Sequence, residues 1–142
     1  MSLTFELTAT PDDATLAAIG DGLTAFNAAD VGPSGRVSLA IALRAADGSV
    51  QGGLSGYTAW GWLYVQWLFL AEAHRGQGLA GQLLHRAETE ASARGCHGAY
   101  IDTFNPTARR AYEKAGYVVF GELPDFPPGR RRVFLHKSLG PI

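Results

Sequence analysis

Seven consecutive residues, Arg75-Gly76-Gln77-Gly78-Leu79-Ala80-Gly81, carry the clearest chemistry in the chain. They separate a hydrophobic run from an amphipathic one, the place where a strand passes into a helix. Glycine lets the backbone approach a ligand closely. The unpaired amides of a helix start, aided by the helix dipole, attract phosphate oxygens. Arg75 adds a permanent cation whose planar guanidinium suits phosphate. This is chemistry for a diphosphate.

Two kinds of ligand fit those letters. Gly76, Gly78 and Gly81 satisfy the glycine spacing of a dinucleotide-binding turn, and Asp102 lies about 20 residues further on, at a strand end. However, the residues from Ala71 to Arg75 intervene between strand and first glycine, where the dinucleotide turn is tight. Only about 40 residues follow Asp102, too few for the remaining crossovers of a doubly wound sheet.

The other pattern is R-x-x-G-x-A, formed by Arg75, Gly78 and Ala80. It resembles the pyrophosphate signature of the GNAT N-acetyltransferase superfamily. The preceding Leu68-Phe69-Leu70 resembles the strand along which that family lays the pantetheine arm. Asn105, Ala108, Tyr112, Gly116 and Tyr117 are similar to its second cofactor segment, N-x-x-A-x-x-x-Y-x-x-x-G-aromatic. Each residue also has an ordinary structural use: Asn105 caps a helix, Gly116 ends it, and Tyr112 suits a core. Two motifs in the family's order favour the cofactor reading.

The resemblance implies acetyl-CoA as co-substrate, a GNAT-like mixed sheet, and acetyl transfer to a primary amine, of a small molecule in the first instance. It places Leu68, Phe69, Leu70, Arg75, Gly76, Gln77, Gly78, Leu79, Ala80, Asn105, Ala108 and Tyr112 on the cofactor. Main-chain amides near Leu70 would polarise the thioester carbonyl, and the Tyr112 phenol would stand beside the departing sulfur. An alkyl ammonium has a reference pKa of about 10.4, so the reaction needs an outlet for its proton. Many family members place a glutamate near the central strand, and residues 62–70 contain no acid. Asp102 is the first candidate base, ahead of Glu72 and Glu122, and a water chain is the alternative. A CoA-binding module of the same fold without catalysis is the competing reading.

Trp60, Trp62, Tyr64 and Trp67 concentrate aromatic surface beside the expected acceptor cleft, suited to stacking or to a cation, although core packing is the ordinary use. Arg130, Arg131 and Arg132 form a short basic run for an acidic substrate, a partner subunit, or simply solvent.

The elements that must position these residues follow from periodicity and punctuation. Residues 3–8 read as a strand, and Thr10, Pro11 and Asp13 fit a helix start, with Leu16, Ile19, Leu23 and Phe26 at helical spacing. Residues 37–45 and 50–59 form a hairpin about Asp47-Gly48. Residues 62–70 are apolar on both alternating faces, as in a central strand covered on each side by helices. Residues 79–94 form an amphipathic helix closed by Gly95. Then follow a strand at 99–103, a helix from Asn105-Pro106 to Ala115, and strands at 117–123 and 131–137. The predicted order is β-α-β-β-β-α-β-α-β-β, a mixed α/β sheet of seven strands in one domain spanning residues 1–142.

Composition agrees with an ordinary globular domain. The 142 residues are 46% hydrophobic and 18% charged, with a net charge of -1 that offers no general attraction to nucleic acid or anionic membrane. The single Cys96 forms no internal disulfide and with His97 makes a poor metal site. No signal peptide or spanning segment is legible, so the expected location is cytoplasmic. A homodimer is the expected assembly.

Overall fold

The computed structural model describes residues 1–140. The chain divides into two compact units, Met1–Ser34 and the remainder from Gly35.

The first unit contains one helix, α1 (Asp13–Val31). Its N-cap is Asp12, whose Oδ1 accepts from the Thr15 amide at 2.7 Å, so the helix starts beyond the predicted Thr10-Pro11. Thr10 instead donates its amide to Thr8 Oγ1 at 3.0 Å. Gly32, at φ 89°, ends the helix by donating its amide to the Ala28 carbonyl. The predicted strand at residues 3–8 is not formed. A strand exists only where another pairs with its backbone, and this unit supplies none.

The second unit is built on six strands: β1 (Val37–Arg44), β2 (Val50–Ala59), β3 (Trp62–Leu70), β4 (Gly98–Thr103), β5 (Val118–Pro124) and β6 (Arg131–Ser138). Helix α2 (Leu79–Ala93) joins β3 to β4, and α3 (Pro106–Lys114) joins β4 to β5. Sheet order is β1-β2-β3-β4-β6-β5, with β3 and β4 parallel and every other pair antiparallel. The sheet therefore has six strands rather than seven; from the first helix onward the element order is as predicted.

The core lies where α2 meets the sheet. Leu63 and Val65 of β3, Ala99 of β4 and Leu135 of β6 are fully buried against Leu84, Ala87 and Ala91 of α2. Beyond Val65 the expected two-sided burial of β3 fails, and Trp67 and Phe69 are exposed. The reason is a bulge. Ser55 pairs with Trp67 and Gly56 with Val65, which leaves Gln66 unpaired and reverses the alternation. Gly56 is required opposite it, because a Cβ there would collide with the Tyr64 carbonyl.

One ionisable carboxyl is deep in this core. Glu88 of α2 accepts from the Tyr117 hydroxyl at 2.8 Å and from Lys137 Nζ at 2.7 Å. Lys137 also donates to the Ala115 carbonyl at 2.9 Å, so α2, the end of α3 and β6 share one knot. Burial, followed by the charge of Glu88, keeps the Tyr117 phenol protonated well above its ordinary range. Glu88→Ala leaves the phenol without its acceptor and the lysine with only the Ala115 carbonyl and no counter-charge, and is expected to cost roughly 3 kcal/mol. Urea unfolding checks this as a lower midpoint with unchanged slope.

Candidate active site

The bulge coincides with a parting of strands. Pairing between β3 and β4 runs from Trp62↔Gly98 to Val65↔Ile101 and stops, although β3 continues to Leu70 and β4 to Thr103. From Trp67 to Leu70, β3 keeps β2 on one side and has no strand of the sheet on the other. Backbone groups along such an edge require partners, and an extended amide-bearing ligand supplies them.

The gap is a cleft of about 500 Å³. One wall comprises Leu68, Phe69, Leu70, Arg75, Gly76 and Ala80; the other comprises Thr103, Asn105, Thr107, Ala108, Ala111 and Tyr112. The two sequence motifs therefore face each other across it. Thr103, Thr107 and Ala111 were not among the predicted residues, though each flanks one that was and shares its strand end or helix.

The glycine turn forms the mouth. Gly76 and Gly78 both adopt positive φ, 76° and 77°, conformations that side-chain-bearing residues rarely take. Gly78 is the N-cap of α2 and contributes no side-chain cap, which leaves the first amides of the helix available to an anion. Arg75 donates from Nε to the Leu70 carbonyl at 2.9 Å, tying the turn to the end of β3. Gln77, Gly78 and Leu79 are not on the cleft lining. Gln77 reaches back to the Ala73 carbonyl, and Gly78 borders a neighbouring depression with Gly81, Gln82, His85 and Arg86.

On the opposite wall, Asn105 Oδ1 accepts from the Thr107 and Ala108 amides at 2.8 and 3.1 Å, and its own amide donates to Thr103 Oγ1. This cap fixes the direction of α3 and so the height of Tyr112, two turns further on, which is 5% exposed. Burial and then the charge of Asp102 push the Tyr112 phenol up to about 12. Gly116, at φ 102°, turns the chain out of α3, and Tyr117 serves the core rather than the cleft.

Asp102 is not on the cleft lining. Its Oδ1 accepts from the Tyr64 hydroxyl at 2.9 Å and its Oδ2 from Arg132 Nη1 at 2.8 Å. Tyr64 stacks on Tyr100 with ring centroids 4.6 Å apart, and burial followed by its bond to Asp102 raises its phenol to about 12. Glu72 lies in an exposed 3-10 turn, and Glu122 pairs with Arg131 at 3.1 Å. Of the aromatic cluster, Trp62 packs edge-on to His97 and Tyr100, while Trp60 and Trp67 are exposed. No group of His, Cys, Asp and Glu among the described residues is arranged to hold a metal, and none of their helices is long and apolar enough to cross a membrane.

Comparison with known proteins agrees with this geometry. A family model described as "Acetyltransferase (GNAT) family" matches residues 21–117. The acetyltransferase Atu2258 of Agrobacterium fabrum is 49% identical over 135 residues, covering 95% of this chain and 98% of that protein. The blasticidin-S acetyltransferase of Streptomyces morookaense is 38% identical over 93 residues, covering 65% and 68%. The crystal structure of an Agrobacterium tumefaciens protein assigned as an acetyltransferase superposes with a TM-score of 0.92 at 48% identity, over 96% of this chain and 99% of that one. Acetyltransferases of this family use acetyl-CoA. With both family motifs facing one cleft and a relative matched almost end to end, the chain belongs to the GNAT family and is an acetyltransferase.

Proposed function

We propose that the protein transfers the acetyl group of acetyl-CoA to the primary amine of a small molecule. The observation that carries this reading is the cleft between β3 and β4, with an unpaired strand edge on one wall and a buried tyrosine on the other. In this reading the amides of residues 76–80 and Arg75 hold the diphosphate, with Gln77 and Leu79 contributing backbone only. Residues 68–70 pair with the pantetheine amides. Asn105 and Ala108 shape the facing wall, and Tyr112 donates a hydrogen bond to the departing sulfur.

The amine proton leaves through water, because Asp102 does not line the cleft and its carboxylate is held by Tyr64 and Arg132. Blasticidin S, named in the description of one relative, is the first acceptor to try. A homodimer fits the charge distribution. Residues 1–34 carry Glu6, Asp12, Asp13, Asp21 and Asp30 and no base, whereas all 12 lysines and arginines lie beyond them. Light scattering tests this by reading twice the chain mass.

The cofactor assignment is tested by thermal unfolding. A ligand bound only by the folded state at about 100 times its Kd adds roughly 2.7 kcal/mol of stability. Acetyl-CoA is expected to raise Tm by several degrees and NAD to leave it unchanged. The reverse pattern returns the glycine turn to the dinucleotide reading.

A further inference from the structure

The basic run at the start of β6 does not face a solvent-borne partner as a block. Arg131 pairs with Glu122 on β5 at 3.1 Å. Arg130 donates to the Phe104 carbonyl at 3.2 Å. Arg132 pairs with Asp102 at 2.8 Å, and its guanidinium lies 4.1 Å from the Phe126 ring centroid and 5.1 Å from that of Phe104. The last two arginines to be named thus converge on one short stretch, residues 102–104, where β4 turns into α3.

That stretch is the root of the far cleft wall. Thr103 lines the cleft and accepts the Asn105 amide, and Asn105 in turn caps the helix that carries Ala108 and Tyr112. A shift of residues 102–104 therefore displaces every cofactor-facing group on that wall. Arg132 is well suited to prevent it. Its side chain is 23% exposed, its guanidinium lies against two aromatic rings, and its partner carboxylate is 14% exposed and further held by the Tyr64 hydroxyl. Guanidinium flatness matters here, since a point-charge ammonium could not stack in the same slot.

We propose that Arg132 is a positioning residue for acetyl transfer, holding Asp102 and the β4–α3 turn so that Thr103, Asn105 and Tyr112 keep their places across the cleft from the glycine turn. The proposal rests on the cleft being the coenzyme A site. It gives Asp102 the role of anchor and makes it a functional unit with Arg132. A base role for Asp102 separates the two residues instead: its loss would lower kcat and alter the pH profile while coenzyme A affinity stayed intact.

Calorimetric titration with coenzyme A, which needs no acceptor, decides between these roles. Arg132→Gln and Asp102→Asn are each expected to raise Kd about tenfold, and the double variant no further than the weaker-binding single, because residues acting as one unit are not additive. The double variant also serves if a single one fails to fold, since it leaves no buried charge unpaired. A purely structural role lowers Tm but leaves the Kd of folded molecules unchanged. A folded Arg132→Gln protein, or a folded double variant, that binds within twofold of wild type therefore overturns the proposal. So does additivity of the two substitutions, or an Asp102→Asn protein with intact affinity. Wild-type protein that fails to bind coenzyme A overturns the cleft reading itself, and this proposal with it.

Discussion

Gly78→Asp is expected to weaken coenzyme A binding at least a hundredfold while the protein remains folded. Gly78 is the N-cap of α2 at φ 77° and has open space where a Cβ would project, so the new side chain meets no obstacle. Aspartate is among the residues that tolerate a left-handed conformation, which limits the backbone cost to roughly 1–2 kcal/mol. Its carboxylate would compete for the helix amides that the diphosphate needs and would repel the ligand's charge. Two unit charges 4 Å apart near a protein surface interact by about 4 kcal/mol, more than enough for a hundredfold loss. Gly78→Ala is the control, with at least as much backbone strain and no charge, and its Kd is expected to rise less than about tenfold. Equal losses in the two variants would assign the effect to strain and remove the phosphate role of the turn.

The second large effect is expected at Tyr112. Its phenol is protonated at neutral pH, as any phenol is, and burial followed by the nearby Asp102 charge pushes it up to about 12. A thiol has a reference pKa of about 8.5, so full transfer from so weak an acid is uphill, and the phenol acts by donating a hydrogen bond to the sulfur as negative charge develops on it. A positioned general acid contributes about 10²- to 10⁴-fold, or roughly 3–5 kcal/mol of barrier. Tyr112→Phe keeps the ring and its packing and loses only the hydroxyl. Turnover should fall at least a hundredfold with coenzyme A affinity within about twofold. A core tyrosine without a catalytic role gives the opposite pattern, lower stability with little change in turnover per folded molecule.

What the sequence revealed and concealed follows from the range of the interactions involved. Asn105 and Gly116 mark the ends of α3 through bonds to residues close in the chain, and the short motif between them carries that information. The glycine turn is similar: positive φ at Gly76 and Gly78 is a local requirement written in residue type. The bulge at Gln66 had no such signal. It depends on the register between β2 and β3, and apolar residues at alternate positions on both sides of Gln66 hid the reversal that exposes Trp67 and Phe69. Asp102 was found as a charged residue at a strand end, but its partners Tyr64 and Arg132 lie 38 and 30 residues away on other strands, beyond the reach of spacing arguments. The strand expected at residues 3–8 failed for a related reason. Alternation describes a strand's faces, and only a neighbouring strand makes it one.

Acetyl transfer from acetyl-CoA to an amine releases one free thiol for each N-acetyl bond formed. Its most direct measurement is release of free coenzyme A thiol during incubation with acetyl-CoA and a panel of primary amines that includes blasticidin S, with acetylated products identified by mass. Equal amounts of thiol and N-acetylated amine from at least one acceptor are the predicted result. Protection against heat by acetyl-CoA, with no thiol released above the amine-free rate for any acceptor, would contradict the account and leave a module that binds coenzyme A without catalysis.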